Sequence, residues 1–332
     1  MAAAQDGQKT VDAADDSEPD DEAVEVRCVQ AGANAHGKRL DVVLTQMVPE
    51  FSRSYLQQLL AAGAVQINGH LALKAALKVK AADQLRLEMR PTLASQAFRA
   101  QALPIDVVYE DEHLLVVNKT AGWVVHPAPG NWSGTLLNAL LARDAGAAAV
   151  PRAGIVHRLD KDTSGLMVVA RTRTCMDALV SMIAGRTVRR QYVALAHGQW
   201  RGAAQRVVDL PIGRDPRNRL RMAVVDLARN AGKEARTDIK MLQTNANYSW
   251  VECTLHTGRT HQIRVHMAHV GMPLVGDGLY GGSAQLELAR QGLHAFRLAF
   301  AHPLTAQPLE FTAPPPLDLR SAAARAGFEA GP

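Results

Sequence analysis

Cysteine is scarce. Cys28, Cys175 and Cys253 are the three cysteines of a 332-residue chain, an odd number with no Cys-x-x-Cys spacing. That excludes a disulfide framework and a cysteine-rich zinc site, and leaves inert thiols as the expectation. Long apolar runs are missing too: none approaches the roughly 18 residues of a membrane span. The opening MAAAQDGQKTVDAADD is acidic and polar, unlike the basic start and apolar centre of a signal peptide. A soluble, cytoplasmic chain with no membrane partner is expected. No G-x-x-x-x-G-K-[ST] occurs, so no nucleoside triphosphate is implied.

What is present is length, apolar content and an uneven charge. The chain is longer than one compact core usually holds, and its 47% hydrophobic content is ample, so two domains are predicted. Residues 1–25 carry nine acids and one lysine, a net of −8, against +5 for the whole chain, so the remainder carries +13. A basic folded part favours a polyanionic partner, nucleic acid before membrane.

Residues 1–35 have almost no large apolar side chains and read as a disordered acidic tail. A small unit follows at 36–91. Leu40, Val43, Leu44 and Met47 recur at helical spacing, and Ser52 or Ser54 can cap a second helix that should stop near Gly63. Val65-Gln66-Ile67 then reads as a strand ending in the tight-turn pair Asn68-Gly69. Alternation through Leu77 and Val79, and again through Leu85, Leu87 and Met89, turns Lys78 and Lys80 away from the core. Residues 92–103 read as a linker, 104–320 as the second domain and 321–332 as a flexible tail. In the second domain strands do not alternate one-for-one with long helices, so an α+β fold on a mixed, mainly antiparallel sheet is predicted.

The window richest in chemistry is GIVHRLDKDTSGLMVVART, Gly154 to Thr172. Two apolar runs flank a loop holding His157, Arg158, Asp160, Lys161, Asp162, Thr163 and Ser164, and such flanks fix a reactive side chain in place. An ordinary Asx turn would also use Asp162, Thr163 and Gly165. The aspartyl-phosphate pattern Asp-x-Asp-x-Thr fits poorly, because Thr163 comes one place early and Gly276-Asp277-Gly278 has no second carboxylate nearby for magnesium. His261, His266 and His269 suggest a metal, but read as a strand, positions 261 and 266 face opposite ways and no further ligand is near, so no metal is expected.

Two resemblances organise these residues. SRSYLQQLLAAGAVQINGH followed by KVKAADQLRL resembles the S4 RNA-binding domain, which implies that Arg39, Arg53, Lys78 and Lys80 contact RNA backbone. HRLDKDTSGLMVVA resembles the signature of RluA-family RNA pseudouridine synthases, whose Arg-Leu-Asp aspartate corresponds to Asp160. RRQYVALAHG and GRTHQIRVHMAHVGMPLVGD resemble that family's two further motifs, which implies Tyr192 against the target base and Arg264 beside Asp160. The resemblance also implies that Arg158 braces the gap left by a flipped base, with His157 and Lys161 on the RNA backbone. Together with VHPAPGNWSGTLLNALL, the S4-like unit is most similar to the RluD type, which modifies a stem-loop of large-subunit ribosomal RNA facing the decoding centre.

The implied reaction is an isomerisation and requires no cofactor. Whether Asp160 would attack C1′ or remove the C2′ proton stays open, and a non-catalytic RNA-binding or ribosome-assembly factor is the competing class. Ribosomal RNA is the expected partner, with the protein acting as a monomer. Thr120, where the family pattern has proline, and the arginine-rich GRDPRNRLRM are departures from the family.

Overall fold

The computed structural model describes residues 25–90, 97–128, 130–329 and 331. The chain divides into two compact units, Met1–Thr92 and Leu93–Pro332.

In the first unit a four-stranded antiparallel sheet runs β1 (Val26–Gln30), β4 (Gln84–Glu88), β2 (Val65–Ile67), β3 (His70–Leu71), beside helices α1 (Leu40–Met47) and α2 (Arg53–Ala61). Ser52 caps α2, its hydroxyl accepting from the Tyr55 amide at 3.2 Å, a contact worth about 1 kcal/mol. Asn68 and Gly69 both have positive φ, which closes the β2–β3 hairpin as the pair predicts. Leu40, Leu44, Leu56, Leu59, Leu85 and Leu87 fill the core.

The expected tail at 1–35 is corrected in its second part, since β1 pairs along β4 and Ala31 and Ala35 are buried; residues 1–24 lie outside the described residues. The reading of 77–79 as a strand is also corrected. That segment holds only an isolated bridge from Lys78 to Arg39, and Leu77 is exposed while Val79 is buried.

The second unit is built on a nine-stranded sheet. Its strands are β5 (Val107–Glu110), β6 (Leu114–Lys119), β7 (Ser164–Ala170), β8 (Arg189–His197), β9 (Gln205–Asp209), β13 (Arg236–Thr244), β14 (Tyr248–Leu255), β15 (Leu293–Ala301) and β16 (Pro308–Thr312). The order is β5-β6-β7-β15-β8-β14-β13-β9, with β16 also on β15. Every pairing is antiparallel except β7 with β15, which meet only at Ser164–His294 and Gly165–Ala295.

Both faces of this sheet are covered. Helix α3 (Leu136–Arg143) and α5 (Gln262–His269) share a core with Met167, Ala194 and Val251 on one face. Helix α4 (Arg173–Ala184) packs with Leu166 and Val168, and α6 (Leu317–Arg325) with Val193 and Trp250, on the other. A strand covered on two faces carries no polar alternation, and β7 is buried at every residue. GRDPRNRLRM contributes to a separate small sheet of β10 (Ile212–Arg214), β11 (Met222–Val224) and β12 (Gly232–Lys233).

Two boundaries of this unit differ from expectation. The linker assigned to 92–103 is tied down in its described part: the Asn138 side-chain amide donates to the carbonyls of Ala97 and Arg99 at 3.0 and 2.8 Å. The tail assigned to 321–332 is helical through Arg325, and Ala322, Ala323 and Phe328 are buried.

Candidate active site

The loop from Asp160 to β7 is held residue by residue from distant parts of the chain. Lys119, at the end of β6, donates to the carbonyls of Thr120, Trp123 and Lys161 at 2.8, 2.9 and 2.9 Å. Burial pushes its pKa down to about 7, against the pull of Asp162 and Asp160. Arg290 donates to the Asp162 carbonyl at 2.9 Å, and the Gln291 amide to the Thr163 hydroxyl at 3.2 Å. The Ser164 hydroxyl is 2.9 Å from His294 Nδ1, and the other ring nitrogen faces the Ala313 carbonyl at 3.0 Å. Gly165 has φ +118°, and a Cβ there would lie 2.3 Å from the Ala295 oxygen, so only glycine lets β7 approach β15 this closely.

Asp160 projects from this loop with its side chain 17% exposed. Arg264 Nη1 donates to its Oδ2 at 3.1 Å, from a side chain only 8% exposed. The remaining face of that guanidinium is taken by Asp277, which accepts from Nε at 2.7 Å and from Nη2 at 2.8 Å as a bidentate pair. Burial alone would lower the Arg264 pKa; the Asp277 and Asp160 carboxylates outweigh it and raise the value above the ordinary one. The Tyr280 ring stacks 5.0 Å from the guanidinium carbon. Its hydroxyl accepts from the Met222 amide at 3.0 Å and lies 2.7 Å from His261 Nδ1, which leaves His261 Nε2 4.0 Å from Asp160 Oδ1.

A cavity of about 720 Å³ opens over Asp160 and Tyr192, with room for a nucleoside. Tyr192 is buried on β8, and burial pushes its phenol up to about 12, so the hydroxyl keeps its proton at neutral pH. A smaller pocket joins Asp160, Tyr192, Arg264 and Leu293. Asp160, Tyr192 and Arg264 come from a loop, a strand and a helix, and the fold brings all three together.

The other expected residues divide. Arg158 is exposed and lines the cavity, and Lys161 is exposed beside it in sequence. His157 lines the cavity as well, its Nε2 accepting the Val168 amide at 3.1 Å, and burial, then the charge of Arg190, pushes its pKa down to about 3, so the ring is neutral. The strand reading of 261–266 is corrected, since α5 is a helix. His266 there is buried between the Thr237 hydroxyl and the Leu210 carbonyl, at 2.9 and 3.0 Å. Among the described residues no group of three potential ligands could hold a metal. In the first unit Arg39 and Arg53 both bond Asp41, at 3.0 and 2.6 Å, and Lys78 and Lys80 are exposed.

Asp277 and Lys119 were not singled out from the sequence. Asp277 closes the GMPLVGD segment and was weighed only as a magnesium ligand; nothing local in that segment points to an arginine 13 positions away.

Residues 113–269 match the family described as RNA pseudouridylate synthase, and residues 38–85 match the S4 domain. Ribosomal large subunit pseudouridine synthase D of Neisseria meningitidis serogroup A is 45% identical over 89% of this chain and 80% of its own length. Its namesake in Xylella fastidiosa is 47% identical over 86% of this chain and 88% of its own length. Among solved structures, human RNA Pseudouridylate Synthase Domain Containing 1 superposes with a TM-score of 0.54 at 27% identity, covering 68% of this chain and 89% of that one.

Proposed function

The chain belongs to the RNA pseudouridine synthase family, and on that premise we propose that it isomerises uridine in large-subunit ribosomal RNA with Asp160 as the reacting carboxylate. The observation that carries this reading is Asp160, which lines a nucleoside-sized cavity and is tied through Arg264 to Asp277. The reaction breaks the C1′–N1 bond, turns the uracil within the pocket and joins C5 to C1′. It asks for a carboxylate under the ribose that either attacks C1′ or removes the C2′ proton. Arg264 occupies Oδ2 and fixes the plane of the carboxylate, while Oδ1 has no hydrogen bond among the described residues. One oxygen is held and the other is available to the sugar.

The uracil must leave its stack, at a cost of about a few kcal/mol. Tyr192 would offer the flat surface that receives it, and exposed Arg158 would fill the space left in the RNA. Arg39, Arg53, Lys78 and Lys80 would grip backbone phosphates, which adds affinity without reading sequence. The substrate we favour is a stem-loop facing the decoding centre, the target of the RluD type that the two-domain sequence resembles, and a substrate of that kind implies a cytoplasmic enzyme. No atoms are gained or lost, so no cofactor is called for.

Mapping carbodiimide-blocked pseudouridines in cells with and without the protein, and in cells carrying Asp160→Asn, tests this directly. The expected result is that the same large-subunit positions vanish in the deletion and in the variant, with turnover lowered by about 1000-fold or more. Retained modification in the Asn variant would overturn the assignment of Asp160. An unchanged map in the deletion would overturn the substrate.

A further inference from the structure

The cavity over Asp160 has an unusual balance of charge. Five arginines line it, Arg152, Arg158, Arg186, Arg190 and Arg259, against a single carboxylate, Asp160. Four of the five are exposed or half-buried and keep water around their charge. Arg190 is different, because it is 5% exposed and has a buried Nε with no hydrogen-bond partner. It forms no ion pair among the described residues, and the acidic side chain that acts on it is the Tyr192 phenol, which burial keeps protonated, rather than a carboxylate.

A buried guanidinium without a counter-charge is costly, and a bound anion would offset that cost. The surroundings of Arg190 are shaped around it. Its neighbour His157 is held neutral, and Gly258 leaves space that a side chain would take, since a Cβ there would stand 3.0 Å from Arg190 Nη1. Arg190 precedes Tyr192 by two positions on β8, so both side chains leave the same face of the strand, about 6.6 Å apart. That step is close to the rise between successive nucleotides of an extended strand.

We propose that Arg190 is the binding site for a backbone phosphate adjoining the uridine that rests on Tyr192. It rests on the reading of Asp160 and Tyr192 given above, and adds a fixed anion position one nucleotide step from the reacting base. The phosphate supplies the counter-charge that the folded protein lacks. Rim arginines track the RNA electrostatically, whereas Arg190 acts once the strand has entered the cavity, setting how deeply the target nucleotide descends.

The test uses the full chain carrying Asp160→Asn, so that RNA binds without turning over, and a transcript of large-subunit ribosomal RNA as the probe. Affinity is measured across potassium chloride concentrations for that parent and for added Arg190→Gln or Arg190→Lys. Arg190→Gln is expected to weaken binding about tenfold and to reduce the slope of log affinity against log salt by about 0.7, the contribution of one single-strand phosphate. Arg190→Lys, which keeps the charge, is expected to hold the parent slope. Without RNA, Arg190→Gln should melt no lower than the parent, because an uncompensated buried charge has been removed.

A slope unchanged in Arg190→Gln would overturn the proposal. So would a failure of that variant to fold, since it would make Arg190 a structural cation. If Asp160→Asn alone proves active, the reading of the site fails first, and the salt slopes still report on Arg190 independently.

Discussion

Each unit contains an aspartate surrounded by arginine, and the two are built inside out from one another. Asp41 in the first unit is fully buried, while its partners Arg39 and Arg53 are 47% and 52% exposed. Both carboxylate oxygens are engaged, by two nitrogens from each arginine and by the Gln57 amide at 3.0 Å. At Asp160 the arginine is the buried member, and the carboxylate meets the cavity with one oxygen unbonded. Saturating a carboxylate makes it a strut that organises cations on a surface. Burying and saturating the arginine instead leaves a carboxylate that is oriented and still able to react.

The contrast is most strongly tested at Arg264. Arg264→Met should lower kcat by about 100- to 1000-fold with little change in RNA affinity, the scale seen when one stabilising donor is lost from a reacting centre. Affinity falling in parallel with kcat would mean that Arg264 binds substrate rather than orienting Asp160. Asp277→Asn touches the same chain one link further out. A loss of about tenfold in kcat at constant KM is expected, the order found when the partner of a reacting group's own partner is removed.

Asp41→Asn should leave kcat at saturating RNA unchanged and destabilise the first unit by about 1–3 kcal/mol. It carries a pH signature. The hydrogen bond from Arg39 is the largest cause holding the Asp41 carboxyl well below the usual carboxylate range, against the opposing effect of burial. Since the folded value lies under the unfolded one, its stabilisation is complete above the ordinary aspartate pKa and is lost as pH falls through the folded value. Melting curves of wild type and Asp41→Asn should therefore begin to approach one another as pH drops below about 4 and meet only when it has passed the folded value. Parallel curves would remove Asp41 from its structural role.

Where the chain was legible, a local pattern coincided with a tertiary one. The α1 and α2 stripes, the Ser52 cap, the Asn68-Gly69 turn and the mainly antiparallel sheet all follow from residues close in sequence. The failures share a cause. Strand β1 buries none of its residues and is held by backbone pairing and by Arg27, which pairs with Glu50 and lies over the Phe51 ring, so it has no buried apolar stripe to set it apart from an acidic tail. Helix α5 buries Gln262 through Met267 on all sides, and Ile263, Val265 and Met267 then mimic the alternation of a strand. Helix α6 packs through Leu319, Ala322 and Ala323, and alanines give little hydrophobic contrast.

The site divides in the same way. Asp160, Tyr192 and Arg264 were reached through motif resemblance. The groups that restrain them were not, because Arg264 to Asp277, Lys119 to Lys161 and Arg290 to Asp162 are contacts between segments far apart in sequence.

Arg290 holds the Asp162 carbonyl and is itself gripped by Asp318 of α6, at 2.6 and 3.0 Å. During translation, residue 160 therefore emerges long before the last clamp on its loop exists. A nascent chain that has not yet supplied Asp318 lacks that hold on Arg290, so the loop bearing Asp160 is fully restrained only once α6 has been made.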